Sequence, residues 1–207
     1  MRRAVPRRTV LAGAGLAVAV AGCLYAAAGP TPQDGGGAPP GPDGAAVRPV
    51  SVSAAVVVDT GGRPPAPVLT GADLDGKPLS LTEYRGQVVV LNVWGSWCGP
   101  CRAEADDLER LSGQTRTQGV RFLGINTRDP DRAAARSFVR AHGLGFPSLH
   151  DPTGKLLLRF PPALLNPQTI PSTLVIDRRG RIAVSIGGAV TDEELRPLLL
   201  RVAEETA

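Results

Sequence analysis

The sequence predicts one mixed α/β domain, a central sheet with helices on both faces, and three observations carry that expectation. Residues 87–94 are a nearly continuous apolar run (Val88, Val89, Val90, Leu91, Val93), the mark of a strand buried on both sides. Residues 120–125 repeat it after an intervening helical pattern. From Ala66 to Glu205, strand-like and helix-like segments alternate, with turn residues between them.

The elements follow in order. Residues 1–8 hold four Arg and no acid, and residues 10–22 are an uncharged run of Ala, Val, Leu and Gly, which together describe an export leader. The run from Arg7 to Leu11 resembles a twin-arginine signal. Three endings stay open. Val20-Ala21-Gly22-Cys23 resembles a bacterial lipobox with Cys23 as the lipidated residue; the apolar stretch to Gly29 is long enough for an uncleaved anchor; and Ala26 and Ala28 would suit cleavage after Ala28. All three place the folded part outside the cytoplasm, on the outer face of the cell membrane in the first two and secreted in the third. The domain plan is therefore 1–28 as leader or anchor, 29–60 as a Pro/Gly-rich linker, and 61–207 as the folded domain.

Val50, Val52, Val56 and Val58 form a β-like stretch whose place is open. Residues 68–74 and 77–81 around Asp75-Gly76 read as a hairpin. A helix over 100–117 should turn Ala103, Leu108 and Leu111 inward, and one over 131–142 should bury Ala134, Phe138 and Val139. A short strand at 148–150, a short helix at 155–160 and a hairpin of 172–177 with 181–186 come next. Thr191 followed by Glu194 predicts a capping box on a last helix running to about Glu205.

Charge excludes one class of function. The net charge is +4, yet from Thr60 onward there are 18 basic and 16 acidic residues, so no basic face for nucleic acid is expected. Three Cys are too few for a disulfide scaffold, and two of them stand together.

Trp97-Cys98-Gly99-Pro100-Cys101 follows the first buried strand and opens a helix. Unpaired N–H groups and the helix dipole stabilise a thiolate at Cys98, the residue expected to be more exposed, while Cys101 can close a disulfide with it. Such a pair cycles between dithiol and disulfide: Cys98 attacks and Cys101 resolves. Half of a zinc site is the alternative, but only His142, His150 and carboxylates could complete it. Gly71 to Lys77 has the spacing of a phosphate loop; Asp73, Asp75 and Pro78 oppose that use, and the hairpin turn is preferred.

Residues 66–205 resemble the TlpA/ResA-like branch of the thioredoxin superfamily. The match runs through Ala66-Pro67, Leu74-Asp75-Gly76-Lys77, Tyr84-Arg85-Gly86, Asn92-Val93-Trp94, the Cys pair, Arg102, Glu104, Ile170-Pro171-Ser172-Thr173 and Asp177 to Arg181. The resemblance implies a thioredoxin-like fold with an N-terminal β-hairpin and a central insertion. It implies a cis Pro171 facing the disulfide, Ile170 pairing with an extended substrate segment, and Trp97, Gly99 and Pro100 completing the substrate surface. Taken alone, Ile170-Pro171 reads as an ordinary trans turn. Glu104 takes the role of a partly buried carboxylate exchanging a proton with Cys101; taken alone, it reads equally as a solvated first-turn Glu. Two departures stand out: Asn92 replaces the buried Asp of thioredoxin, and Asp106 replaces a helix-kinking Pro. Related copper-delivery proteins of the Sco type carry three residues between their cysteines, against two here, and His142 and His150 read as helix-end and surface residues.

The function expected is an extracytoplasmic thiol-disulfide oxidoreductase. Its Gly-Pro dipeptide is that of thioredoxin, at the reducing end of the range, so it is expected to reduce protein disulfides. The resemblance suggests apocytochrome c as client and a membrane thiol-disulfide protein as electron donor. No cofactor or metal is called for. A general or oxidase-assembly thiol reductase, or a non-catalytic metal-binding lipoprotein, are the alternatives.

Overall fold

The computed structural model describes residues 55–205; the leader, Cys23 and most of the linker lie outside the described residues. Its six-stranded sheet is built from β1 (Ala55–Val57), β4 (Val88–Trp94), β5 (Val120–Thr127), β6 (Ser148–Asp151), β7 (Ser172–Ile176) and β8 (Ile182–Gly187) in the order β1-β8-β7-β4-β5-β6. A separate hairpin pairs β2 (Thr70–Ala72) with β3 (Pro78–Ser80). Strands β4, β5 and β6 are mutually parallel, while β7, β8 and β1 add on antiparallel. The sheet is thus mixed. The Val-rich stretch left open by the sequence supplies β1, so the sheet begins inside the segment assigned to the linker.

Every residue of β4 is buried, as its unbroken apolar run requires. Its alternate side chains feed two cores. Val88 and Val90 pack with Leu108 and Leu111 of α1 (Gly99–Thr115) and with Leu195 and Leu199 of α3 (Asp192–Glu204). Val89, Leu91 and Val93 face the other way, onto Leu79, Leu81, Leu157, Phe160 and Leu165. The third helix, α2 (Arg132–Ala141), stacks Phe138 on Trp94 with ring centroids 4.7 Å apart, on the α1 side. Sheet and flanking helices match the expectation, but all three α-helices share one face. The crossovers β4-α1-β5 and β5-α2-β6 step in the same direction, and two crossovers of the usual right hand then place both helices together. The second face carries only 3-10 turns (Leu81–Tyr84, Leu157–Arg159), the hairpin and the segment 160–170.

Two helix faces are rotated from the expected ones. In α1 the buried stripe is Cys101, Glu104, Ala105, Leu108 and Leu111, and Ala103 is exposed. A periodicity of apolar residues does not count Glu104, so it mistakes the phase. In α2 it is Ala135, not Ala134, that is buried with Phe138, since three consecutive Ala give the pattern nothing to choose between. The capping box of α3 is present: Thr191 accepts from the Glu194 N–H, and Glu194 accepts from the Thr191 N–H. At the pole away from the cysteines, the Arg63 side chain is 4% exposed and bridges Asp177 at 3.1 Å and Glu205, fastening the start of the domain to the end of α3.

Gly124 in β5 is required by a close approach. Trp94 Nε1 donates to Ser148 Oγ across β5 at 3.2 Å, and a Cβ at 124 would fall on that Oγ and 2.7 Å from the indole nitrogen. Gly124→Ala should therefore destabilise by about 1–3 kcal/mol. In thermal melts of the 55–205 domain this reads as a fall of roughly 3–10 °C; an unchanged midpoint would show that the indole has room to move.

Candidate active site

Strand β4 delivers the chain to the C-terminal edge of the parallel strands, where open α/β sheets place their sites. The turn Gly95-Ser96-Trp97 follows, and Cys98 is the N-cap of α1, with extended backbone and an Sγ that accepts from the Cys101 N–H at 3.2 Å. Gly99 and Pro100 fill the first two helical positions, where Pro has no hydrogen bond to lose. Cys98 and Cys101 are joined as a disulfide, with Cα atoms 5.3 Å apart.

Cys98 was expected to be the more exposed of the two. In the disulfide form both residues are buried, at 3% and 2%. Packing accounts for this: the pair belongs to an apolar cluster with Trp94, Ala105, Ala135 and Phe138, against which Ile170 also leans. Exposure passes to the neighbours. Trp97 is 49% exposed, and Gly99 and Pro100 are exposed beside it.

The turn before Cys98 is held by residues that the sequence did not single out. Asp129, 2% exposed, accepts from Ser96 N–H at 2.9 Å, Ser96 Oγ at 2.6 Å and Asn126 Nδ2 at 2.5 Å. Trp97 Nε1 donates to the Thr127 carbonyl at 3.2 Å. Gly95 makes room for that indole, since a Cβ there would stand 2.5 Å from Trp97 Nε1. An acid placed just past a buried parallel strand was the available signal for Asp129, because that position lies on the same sheet edge as the Cys pair.

Glu104 lies one helical turn beyond Cys101, on the same side of α1. It is 2% exposed, which removes the reading of a solvated first-turn Glu. Asn92 Nδ2 donates to Oε1 at 2.8 Å, and the Val190 N–H donates to Oε2 at 3.0 Å. Asn92 also donates to Thr173 Oγ1 at 3.1 Å, so β4, β7, α1 and the approach to α3 meet at this carboxylate. Burial pushes its pKa up to about 7, against the lowering effect of the two donors. At neutral pH it is poised to gain or lose a proton.

The Ile170-Pro171 bond is cis, as the resemblance implied. Ile170 reaches the cysteine cluster, and the Pro171 carbonyl accepts from the Gly188 N–H at 2.9 Å. The structure thus gathers Trp97, Cys98, Gly99, Pro100, Cys101, Glu104, Ile170 and Pro171 at one end of the domain. His142 ends α2 and pairs with Asp106 at 2.9 Å; α1 runs through Asp106 as a continuous helix. His150 is not the surface residue expected: it is half-buried in β6, with Nε2 3.1 Å from the Asp129 carbonyl. Among the described residues, no group of three or more His, Cys, Asp or Glu could hold a metal ion, and no helix is long and apolar enough to cross a membrane.

Known proteins are similar to this chain in sequence and in fold. Residues 63–185 match the model of the AhpC/TSA family. The thiol-disulfide oxidoreductase ResA of Geobacillus thermodenitrificans is 34% identical over 131 residues, which are 63% of this chain and 72% of that protein. A secreted thiol-disulfide isomerase from Corynebacterium glutamicum superposes with a TM-score of 0.64 at 33% identity, over 73% of this chain and 92% of its own. A DsbF homologue from Corynebacterium diphtheriae gives 0.63 at 32% identity, covering 74% of this chain and 96% of its own.

The raised pKa of Glu104 makes a signed prediction about stability. Its folded value lies above that of an unfolded Glu, so its contribution is fully present below about pH 4.5 and is lost as pH rises to about 7. Glu104→Gln removes that titration. Melting midpoints compared between pH 5 and pH 8 should move in favour of the Gln variant as pH rises, whereas a difference independent of pH would show that Glu104 does not titrate in this window.

Proposed function

The chain belongs to the AhpC/TSA family as a thiol-disulfide oxidoreductase of the ResA/DsbE-like type, and on that premise we propose that Cys98 and Cys101 reduce disulfides in protein clients outside the cytoplasm. The observation that carries the proposal is the pair at the N-terminus of α1 with a buried carboxylate, its pKa pushed up to about 7, one helical turn beyond Cys101 on the same side.

In the reducing direction the Cys98 thiolate attacks one sulfur of a client disulfide. A bond forms between Cys98 and that sulfur, the client S–S bond breaks, and the departing client thiolate takes a proton from solvent. Glu104 then accepts the proton of the Cys101 thiol, and the new thiolate attacks Cys98 Sγ. The mixed disulfide breaks, the Cys98–Cys101 bond closes, and the second client sulfur leaves and is protonated. Two electrons have passed to the client. A membrane thiol-disulfide protein returns them by the same exchange in reverse, as the dithiol donor. The Gly-Pro dipeptide supports the reducing direction.

The exposed Trp97, Gly99 and Pro100 and the cis Ile170-Pro171 segment form the client surface in this reading. A client segment in extended form would lie along Ile170, with its disulfide over Cys98. Apocytochrome c before haem attachment is the client class favoured by the family resemblance. The basic and apolar leader supports export, and Cys23 in its lipobox supports attachment to the outer face of the membrane by a lipid. The secreted Corynebacterium glutamicum protein is consistent with an extracytoplasmic site.

Two measurements test this. A Cys101→Ala variant should hold its client as a mixed disulfide through Cys98, recoverable by a tag and released by dithiothreitol; the reduction potential of the wild-type pair should lie near −270 mV, and a value close to −120 mV would reverse the proposed direction. With Cys101 in place, the rate at which it resolves a mixed disulfide formed on Cys98, followed by rapid mixing of the reduced pair with a peptide disulfide, should increase as pH rises through about 7, where Glu104 loses its proton. In Glu104→Gln that inflection should vanish and the step slow about 100-fold; an unaltered rate would remove Glu104 from the proton transfer.

A further inference from the structure

Arg128 is the one non-glycine residue with a positive φ among the described residues, at 59°. A side chain in that left-handed region is sterically unfavourable, and such a conformation persists where the surroundings hold it in place, often at a working site. Here the contacts that hold it are identifiable. The Arg128 N–H donates to the Asp151 carbonyl at 3.1 Å, and its Nη2 donates to the Pro167 carbonyl at 2.7 Å. Its stem runs over Gly154, where a Cβ would stand 3.8 Å from Arg128 Nε.

The neighbours of Arg128 reach the other side of the site. The carbonyl of Thr127 takes the indole N–H of Trp97, and the carboxylate of Asp129 takes Ser96. Three consecutive residues therefore span from the turn before Cys98 to the segment before Pro171. That segment is itself a compact turn. Gln168 N–H donates to Asn166 Oδ1 at 2.9 Å, Thr169 N–H to the Asn166 carbonyl at 2.9 Å, and Ser172 Oγ to the Thr169 carbonyl at 2.7 Å. The bond to the Pro167 carbonyl joins Arg128 to this turn, three residues before Ile170.

We infer that Arg128 is a positioning residue that ties the cysteine side of the site to the Ile170-Pro171 side and so sets the width of the slot into which an extended client enters. The inference rests on the proposed client reading. It acts on peptide clients and leaves the sulfur chemistry alone, because no atom of Arg128 is bonded to the Cys pair or to Glu104.

The test uses the pre-reduced full chain with two disulfides: a short peptide with an oxidised Cys-x-x-Cys-His sequence, and 2-hydroxyethyl disulfide, which has no peptide group to place. Arg128→Gly keeps the backbone conformation at no steric cost, so its melting midpoint should stay level or rise. Its second-order rate constant with the peptide should fall roughly three- to tenfold, the scale of one lost hydrogen bond, while that with 2-hydroxyethyl disulfide and the reduction potential stay unchanged. Arg128→Lys, which keeps a donor of similar reach, should recover part of the loss. Equal rates for wild type and Arg128→Gly on the peptide overturn the inference, as does an equal fall on both disulfides. A wild-type chain that reduces 2-hydroxyethyl disulfide but not the peptide refutes the client reading, and this inference falls with it; failure on both refutes the cycling of the pair itself.

Discussion

The active end of this domain is organised around a carboxylate that has no cationic partner among the described residues. Glu104 is buried on α1 and satisfied by two neutral donors, the amide of Asn92 from β4 and the backbone N–H of Val190 ahead of α3. A buried charge without a partner is costly, and the group responds by holding its proton more tightly. The donors offset part of that cost, leaving the carboxyl able to titrate near neutrality. Replacement of Asn92 by an acid would set a second titratable carboxyl against Glu104, so the neutral amide and the shifted Glu104 are two sides of one arrangement.

The two faces of the sheet divide the labour. On one, α1, α2 and α3 pack a regular core that fixes the height of Cys98 and Cys101 above β4. On the other, the hairpin, two 3-10 turns and the segment 160–170 cover the sheet, and that segment leads into the cis Ile170-Pro171 bond. Irregular backbone must satisfy its own polar groups, which explains the dense side-chain-to-backbone bonding around Asp151, Asn166 and Arg128. The rigid face presents the sulfurs, and the irregular face presents the surface beside them.

Much of this was legible because it depends on local pattern. The apolar run of β4, the Thr191–Glu194 capping box and the Cys pair at a strand-to-helix junction each follow from neighbours in the chain. What escaped depends on partners distant in sequence. Val190 binds Glu104 across 86 positions, and Asp129 holds Ser96 across 33, which no local periodicity reveals. The rotated face of α1 has the same origin. Glu104 lies in the buried stripe because Asn92 and Val190 receive it, so its burial is a tertiary fact that displaced Ala103 from the inward position.

The same tertiary partners bear on the direction of electron flow. The helix N-terminus favours a thiolate at Cys98, and taken alone it would stabilise the reduced pair and make the protein more oxidising. A buried carboxylate stands against it: Glu104, one helical turn beyond Cys101 on the same side of α1. When ionised, it raises the cost of a thiolate at Cys101 and leaves the neutral disulfide untouched. Charge of that sign therefore shifts the balance toward the disulfide, which means toward giving electrons away. The Gly-Pro dipeptide and the buried Glu104 push in the same direction, and the proposed reducing direction draws on both.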